Sequence, residues 1–338
     1  MTTNEGKLTK KDFTSDREVR WCPGCGDYAI LATVQSLLPE MGARPESTVF
    51  VSGIGCSSRF PYYMDTYGIH SIHGRAPALA TGLAISRPDL DVWVVTGDGD
   101  GLSIGGNHLM HALRRNVNLK ILLFNNEIYG LTKGQYSPTS PLGSTHKSTP
   151  LGSLDRPINP VSLALGVEAT YVARSIDTDR QHLSEVLRRA YQHRGSAFVE
   201  IYQNCNIFND GAFAALKDKD RKDHNQIRLE PGEPITFGPD NEHAVVAEPD
   251  GSMSIVPTEE AGDRVVIHDP AREEPTTAFA LSRLALNPVG PTPIGIFRDV
   301  DRPVYDDLVR EQVEQMRAQQ GDGDLQSLLA SGNVWDVG

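Results

Sequence analysis

Two linked features constrain this chain most: the run Thr96-Gly97-Asp98-Gly99-Asp100, and Asn126, which lies 28 residues after Asp98. Each directly follows a short apolar stretch, at residues 92–95 and 121–124, as expected of a buried strand. Open α/β sheets bind ligands at the carboxyl ends of their strands. Carboxylate and amide oxygens at that edge suit Mg²⁺ bound to a phosphate. Glycines and a following helix N-terminus favour the close approach of that phosphate.

Two kinds of apolar pattern alternate along the chain between residues 27 and 202. Helical periodicity predicts helices at residues 27–38, 76–86, 103–115 and 178–193, with a short helix that starts at residue 160. Short apolar runs predict strands at residues 48–51, 91–96, 119–124, 169–173 and 197–202. This alternation predicts an α/β fold with a largely parallel sheet and helices on both faces. The long loop at residues 134–160 has a length that is often functional.

Changes in composition predict three segments. Residues 1–18 are polar, and we expect them to form a flexible or partner-bound arm. Residues 19–216 hold the α/β domain. Residues 217–338 form a C-terminal extension that starts with a charge run, interpreted as a solvated face or a hinge. The extension is expected to contain a small β element at residues 227–266 and a mainly polar helix at residues 304–319.

Charge and composition exclude several classes of protein. The 338-residue chain has a formal net charge of −12, which argues against binding to nucleic acid or to an anionic membrane. It has no run of about 18 apolar residues that could span a bilayer. The first twenty residues lack the apolar core of a signal peptide, so we expect a cytoplasmic location. Cysteines stay reduced in the cytoplasm, so the four cysteines of this chain suggest a metal site rather than disulfide bonds.

The four cysteines comprise a local pair and two distant single residues: Cys22, Cys25, Cys56 and Cys205. A C-x2-C hook and two thiols from distant loops could together surround one metal centre. Thiolates are the usual ligands of iron–sulfur clusters, and four thiolates equally suit a structural zinc ion. The spacing alone favours these two sites about equally, and four unrelated buried cysteines are a third interpretation.

Four further motifs identify a family: WCPGCG at residues 21–26, SGIGCSSR at 52–59, HGR at 73–75 and YGLTKGQ at 129–135. Together with the pair of Asp98 and Asn126, they resemble the β subunit of 2-oxoacid:ferredoxin oxidoreductases. The resemblance is strongest to the branch that acts on 2-oxoglutarate, and it covers about residues 15–215. It implies a thiamine diphosphate-binding fold.

The resemblance assigns the candidate residues to three sites. It implies that Mg²⁺ is held against thiamine diphosphate by Asp98, Asn126 and the carbonyl oxygen of Ile128. It implies further cofactor contacts from the neighbouring loops: Gly55, Ser57, Ser58, His73, Gly74, Gly97, Gly99, Asp100, Tyr129 and Gly130. It implies that the cysteines hold a [4Fe-4S] cluster: Cys22, Cys25, Cys56 and Cys205.

On the substrate side, the resemblance implies roles for Arg59 and Leu131. The guanidinium of Arg59 could hold the distal carboxylate of 2-oxoglutarate with two hydrogen bonds. Leu131 is apolar where relatives that use pyruvate tend to carry Asn, which favours a different 2-oxoacid. The plain alternatives are a surface charge for Arg59 and simple packing for Leu131.

The implied activity is the coenzyme A-dependent oxidative decarboxylation of 2-oxoglutarate to succinyl-CoA and CO₂, with electrons passing through the cluster to ferredoxin. The chain carries only the diphosphate half of a thiamine site. The resemblance therefore implies a separate α subunit, in an α₂β₂ assembly, that supplies the glutamate for the aminopyrimidine ring. Three alternatives stay open: the same family acting on pyruvate or another 2-oxoacid, a non-oxidative thiamine diphosphate enzyme, and a zinc-stapled structural subunit.

Overall fold

The computed structural model describes residues 7–284, 290–335 and 337. The described strands are, in chain order, β1 (Thr48–Ser52), β2 (Tyr67–His70), β3 (Asp91–Gly97), β4 (Lys120–Asn125), β5 (Ile128–Tyr129), β6 (Gln135–Tyr136), β7 (Tyr171–Ile176), β8 (Ala197–Tyr202), β9 (Gln226–Leu229), β10 (Thr236–Phe237), β11 (His243–Ala247), β12 (Met253–Pro257) and β13 (Thr292–Asp299).

The described helices are α1 (Asp27–Glu40), α2 (Ala76–Ser86), α3 (Gly106–Arg114), α4 (Pro160–Gly166), α5 (Arg180–Gln192), α6 (Ala214–Lys217), α7 (Lys222–Asn225), α8 (Thr258–Ala261), α9 (Thr276–Ser282), α10 (Tyr305–Gln320) and α11 (Leu325–Leu329). Short 3₁₀ helices are found at Lys10–Phe13, Pro45–Ser47, Ser57–Tyr63 and Gly262–Arg264.

The described residues form a central sheet of eight strands in the order β2-β1-β3-β4-β8-β7-β13-β9. All neighbouring pairs are parallel except β13 with β7, which is antiparallel. Because strands β2, β1, β3, β4, β8 and β7 run the same way, the loops that follow them lie along one edge of the sheet. The predicted α/β fold with a largely parallel sheet is confirmed.

Alternate residues of each strand enter two separate hydrophobic layers. Val92 and Val94 of β3 belong to the layer that also includes residues of α2, α3 and α4. Trp93 and Val95 belong to the layer that includes residues of α1 and α5. Burial on both faces explains why these strands are continuously apolar in the sequence.

The predicted helix at residues 103–115 starts differently in the structure. A π-helical turn at Asp100–Ile104 precedes α3, which begins at Gly106. Wide turns of this kind occur often at functional sites. Here the turn lies directly after the Gly-Asp-Gly-Asp run.

The C-terminal extension contributes to the central sheet as well as to a sheet of its own. Strands β10, β11 and β12 form the predicted small β element, and α10 is the predicted polar helix. However, β9 and β13 join the edge of the central sheet beside β7. The border at residue 217 therefore does not separate two independent sheets, and its position stays a prediction.

The prediction of a flexible arm at the N-terminus is wrong for residues 10–15, whereas binding of the arm to a partner stays a prediction. Phe13 is fully buried in the layer that contains α1, and Thr14 forms a β-bridge with Met64. The Ser15 hydroxyl donates a hydrogen bond to the Tyr62 carbonyl at 2.7 Å. One aromatic side chain anchors an otherwise polar segment, and residues 1–6 of the predicted arm lie outside the described residues.

Candidate functional site

Four loops meet at the carboxyl edge of the central sheet, after β1, β2, β3 and β4. They approach so closely that two positions require glycine. A Cβ on Gly99 would lie 2.2 Å from the ring of Tyr129, and one on Gly74 would lie 2.5 Å from the nitrogen of Gly105. The Tyr129 hydroxyl donates a hydrogen bond to the Gly99 carbonyl at 3.1 Å. The structure thus brings the loop residues that the sequence singled out into one region.

Asp98 is a buried carboxylate that two hydroxyls of the loop at residues 134–160 contact. Its Oδ2 atom accepts hydrogen bonds from the hydroxyls of Ser137 at 2.5 Å and Thr139 at 2.6 Å. No other side chain among the described residues donates to it. Burial raises the pKa of Asp98 to about 6, although the two hydroxyls oppose that rise. A buried carboxylate in this situation is stabilised by a cation.

Asn126 and Ile128 lie on either side of a tight turn next to Asp98. Asn126 donates a hydrogen bond from Nδ2 to Gln203 Oε1 at 2.8 Å, and its Oδ1 accepts one from the Ile128 nitrogen at 3.2 Å. Glu127, between them, has a φ of +56°, a conformation that favours glycine. One carboxylate, one carboxamide and one backbone carbonyl form a set of hard oxygen donors that fits Mg²⁺.

Asp100 differs from Asp98 because protein groups satisfy its carboxylate. Its Oδ1 atom accepts hydrogen bonds from the nitrogens of Ile54 at 3.0 Å and Gly74 at 2.7 Å, and from His73 Nδ1 at 2.6 Å. Its Oδ2 atom accepts one from the Thr96 hydroxyl at 2.6 Å. Asp100 therefore joins the loops after β1, β2 and β3, and its predicted contact with a cofactor stays a prediction.

The remaining predicted cofactor residues surround the same edge. His73 is held at Nδ1 by Asp100, which leaves Nε2 for a ligand. The Ser57 hydroxyl lies beside Gly97, at 3.5 Å from the position that a Cβ on this glycine would take. Ser58 is fully buried, and its hydroxyl has no hydrogen-bond partner among the described residues.

The four cysteine thiols are free and lie near one another. Cys22 is exposed, and the other three are partly buried. An added Cβ on Gly130 would lie 3.5 Å from the sulfur of Cys205 and 3.6 Å from that of Cys56, so this glycine adjoins both thiols. Gln203, which also contacts Asn126, donates a hydrogen bond to the sulfur of Cys25 at 3.2 Å.

Burial raises the pKa of two of the thiols. The pKa of Cys56 rises to about 12, mainly by desolvation, with contributions from Asp27 and from the thiols of Cys205 and Cys22. The pKa of Cys25 rises further for the same main reason, and Cys205 and Cys56 contribute. The thiols therefore perturb one another, and a metal centre would be needed to hold them as thiolates.

No three His, Cys, Asp or Glu side chains close on a single metal-ion position within residues 7–284, 290–335 and 337. The Mg²⁺ donors proposed by the resemblance include only one such side chain, so this finding does not bear on them. The four thiols lie near one another but do not form such a metal-ion position in this structure.

Among the helices of the described part of the chain, none is both long and apolar enough to cross a membrane.

Arg59 and Leu131 line one cavity of about 470 Å³, together with Gly55, Tyr62 and His70. Arg59 donates a hydrogen bond to the carbonyl of Arg20 at 3.3 Å. Among the described residues, no carboxylate forms an ion pair with the Arg59 guanidinium. The cavity therefore contains an uncompensated guanidinium beside an apolar side chain that is 45% exposed.

Sequence reasoning missed the residues behind Asp98. Thr139 bridges Asp98 to Asn125, whose Nδ2 donates to Glu200 Oε1 at 2.7 Å. Glu200 forms a fully buried ion pair with Arg174 at 2.6 Å. Burial raises the pKa of Glu127 in the same region to about 8. The sequence signal for Thr139 was the Ser-Pro-Thr-Ser run at residues 137–140. This run lies in the loop at residues 134–160, for which the sequence predicted only that it is functional.

Residues 53–201 match the family model described as thiamine pyrophosphate enzyme, C-terminal TPP binding domain. The chain is 61% identical over 345 aligned positions to the 2-oxoglutarate oxidoreductase subunit KorB of Mycobacterium tuberculosis. The alignment covers all of this chain and 92% of that relative. It is 40% identical to the 2-oxoacid:ferredoxin oxidoreductase subunit beta of Saccharolobus solfataricus, over 73% of this chain and 79% of the relative.

A solved structure has a similar fold over nearly the whole chain. It is the 2-oxoglutarate:ferredoxin oxidoreductase from Magnetococcus marinus with 2-oxoglutarate, coenzyme A and succinyl-CoA bound. The TM-score is 0.75 at 33% sequence identity, and the match covers 98% of each chain. The similarity therefore extends beyond the thiamine pyrophosphate domain into the C-terminal extension.

Proposed function

The chain belongs to the family of β subunits of 2-oxoacid:ferredoxin oxidoreductases, and from this premise we propose that it is the β subunit of a 2-oxoglutarate-oxidising enzyme. The reaction is the decarboxylation of 2-oxoglutarate with coenzyme A to succinyl-CoA and CO₂. Two electrons leave through a [4Fe-4S] cluster to ferredoxin. A cytoplasmic location and an α₂β₂ assembly with an α subunit are parts of the same proposal.

The Asp98 region supports binding of Mg²⁺ and the diphosphate. Thiamine diphosphate, when bound, supplies the electron sink for decarboxylation of a 2-oxoacid. Asp98, Asn126 and the carbonyl of Ile128 would hold Mg²⁺, and the buried carboxylate of Asp98 supports this assignment. His73, oriented by Asp100, would contact the diphosphate through Nε2.

The cavity at Arg59 supports a dicarboxylic substrate. A guanidinium without a carboxylate partner can bind the distal carboxylate of 2-oxoglutarate through two hydrogen bonds. Leu131 would pack against the methylene groups of the substrate. Pyruvate has no second carboxylate for Arg59, which supports 2-oxoglutarate over the alternative substrate.

One observation carries the redox part of the proposal: Gly130 adjoins the thiols of Cys56 and Cys205 and lies two residues after Ile128. The same short loop therefore borders both the candidate Mg²⁺ site and the cysteines. A cluster on these cysteines would take electrons from the cofactor over a short path.

Metal and cofactor analysis of the purified protein tests the proposal. We would co-express the chain with its α subunit, purify the complex anaerobically, and measure iron, acid-labile sulfide, zinc and thiamine diphosphate. The proposal predicts four iron and four sulfide per β chain, together with bound thiamine diphosphate, as expected for a cubane on four cysteines. Zinc without iron would overturn the redox function, and an active colourless complex would favour a non-oxidative thiamine diphosphate enzyme.

A further inference from the structure

We propose that Ser137, Thr139 and Ser140 form a clasp that positions the groups that bind Mg²⁺, so that this loop sets the affinity for the cation. We call these three residues the hydroxyl clasp. The proposal rests on the proposed function, because it concerns the same cation site. It assigns positioning roles to three residues of the loop at 134–160 rather than to the strands that carry the metal-binding groups.

The first half of the clasp acts on Asp98. The hydroxyls of Ser137 and Thr139 both donate to Oδ2, at 2.5 and 2.6 Å. They fix the rotation of the carboxylate through hydrogen bonds to one of its two oxygens. Hydrogen bonds to metal-binding carboxylates generally orient them and tune metal affinity.

The second half of the clasp acts on the turn that carries the other two donors. The Ser140 hydroxyl donates to the Glu127 carbonyl at 2.5 Å and accepts a hydrogen bond from the Ser137 nitrogen at 2.8 Å. Glu127 has its φ of +56° between Asn126 and Ile128, and a non-glycine residue in that conformation needs an external restraint. The contact from Ser140 supplies one.

Two further contacts make the clasp rigid. Ile128 pairs with Tyr136 in the two-stranded sheet of β5 and β6, directly before Ser137. Thr139 also contacts Asn125 Oδ1 at 2.9 Å, and Asn125 is anchored to the buried pair of Glu200 and Arg174.

Burial makes the hydroxyls of the clasp hard to replace. Ser137, Thr139 and Ser140 are 2–4% exposed, so water has little access to substitute for a missing hydroxyl. Removing one hydroxyl should therefore leave its metal-binding group free to move, because water cannot replace the lost hydrogen bond.

The test compares substitutions at two threonines of the same loop. Thr139→Val keeps the shape of the side chain but removes the hydroxyl, and Thr139→Ser restores it. Thr149→Val is the matched control, because the Thr149 hydroxyl is buried and no described residue forms a hydrogen bond with it. Each variant is purified as the complex with the α subunit and stripped of metal. Mg²⁺ is then titrated calorimetrically at a fixed concentration of thiamine diphosphate. The electron paramagnetic resonance spectrum is recorded with Mn²⁺ in place of Mg²⁺.

The clasp predicts that Thr139→Val weakens Mg²⁺ binding by about 10- to 100-fold and changes the Mn²⁺ spectrum. Thr139→Ser should recover most of the affinity, and Thr149→Val should bind like the wild type. Ser137→Ala should also weaken Mg²⁺ binding. If Thr139→Val does not fold, the Mg²⁺ affinity of Ser137→Ala tests the hydroxyl clasp in its place.

Wild-type affinity and an unchanged Mn²⁺ spectrum in Thr139→Val would overturn the clasp and leave the proposed function intact. Equal losses in Thr139→Val and Thr139→Ser would also overturn it, because packing and not the hydroxyl would then matter. Failure of the wild type to bind Mg²⁺ with thiamine diphosphate would overturn the proposed function and the clasp together.

Discussion

Asp98 and Asp100 lie two residues apart in one turn, yet their carboxylates have different environments. Four protein donors from two loops and strand β3 satisfy Asp100, so it stabilises the architecture of the site. Asp98 has hydroxyl donors on one oxygen only, and burial raises its pKa to about 6. A buried carboxylate with a pKa raised in this way is typical of a functional site. One glycine-rich run therefore supplies a structural joint and a candidate cation ligand.

Arg59 gives the sharpest prediction at the scale of one residue. Arg59→Ala should lower kcat/KM for 2-oxoglutarate by about 10- to 100-fold, because a hydrogen-bonded charge pair with the distal carboxylate is lost. Arg59→Lys should recover only part of the lost kcat/KM, because an ammonium cannot form the two parallel hydrogen bonds of a guanidinium. Steady-state kinetics of the complex with its α subunit provide the measurement.

Two controls accompany this prediction. Arg17 lines the same cavity but pairs with Asp16, so Arg17→Ala should change kcat/KM much less. Any activity with pyruvate should be the same in Arg59→Ala as in the wild type. An unchanged kcat/KM for 2-oxoglutarate in that variant would remove Arg59 from the substrate site.

The sequence identified the residues that follow strands but not those that approach from a distant loop. Asp98 and Asn126 were predictable because each ends an apolar run, and parallel strands end at a common edge. Ser137 and Thr139 lie in a segment with many Ser, Thr and Pro residues, so nothing marked which hydroxyls reach Asp98. The cofactor contact of Asp100 was implied by the family resemblance and stays a prediction, whereas its neighbours in sequence do not reveal the distant groups that bond its carboxylate.

At the scale of elements, most helices and strands followed from periodicity. Helix α2 and strand β8 have the predicted bounds. Strand β13 was not predicted, because Pro293 and Gly295 interrupt its apolar run. The polar N-terminal segment was misjudged for the opposite reason, since one buried phenylalanine was enough to anchor it.

Phe13 tests that anchoring. Phe13→Ala should lower the free energy of unfolding by about 3–5 kcal/mol, the usual range for removing a buried phenylalanine ring. Phe279→Ala is the control. Phe279 is 39% exposed on α9, so its replacement should lower the free energy of unfolding much less. Denaturant unfolding measures both. A similar small change in the two variants would mean that the N-terminal segment does not pack as described.

Helix α5 gives a prediction of pH dependence through His182. Burial lowers the pKa of His182 to about 4, with help from Arg228 and against the effects of Asp179 and Glu185. The unfolded chain binds a proton near pH 6.5 and the folded chain only near pH 4, so stability is lost as pH falls through this window. The shift corresponds to about 3 kcal/mol in total.

His182→Asn should remove this contribution while keeping a polar atom near the Ser175 hydroxyl, which contacts His182 Nδ1 at 2.8 Å. Denaturant unfolding at several pH values between 6.5 and 4 compares the variant with the wild type. The wild type should lose more stability than the variant over that range. Parallel curves would show that His182 is not held in its neutral form.

At the scale of the whole molecule, the chain contains the diphosphate-binding half of a thiamine site, and its C-terminal extension completes the central sheet. We predict that the β chain alone has no 2-oxoglutarate-oxidising activity, because the glutamate for the aminopyrimidine ring is expected on the α subunit. Co-expression with the α subunit should produce activity. Activity of the separately purified β chain would contradict this division between subunits.

The most direct test of the central claim is the visible spectrum of the anaerobic complex with its α subunit, before and after addition of 2-oxoglutarate and coenzyme A. We predict a broad absorption from a cysteine-ligated cluster that bleaches with 2-oxoglutarate and not with pyruvate, because the substrate reduces the cluster. Bleaching with pyruvate alone would keep the family and overturn the substrate. A complex without visible absorption would contradict the proposal that Cys22, Cys25, Cys56 and Cys205 carry electrons.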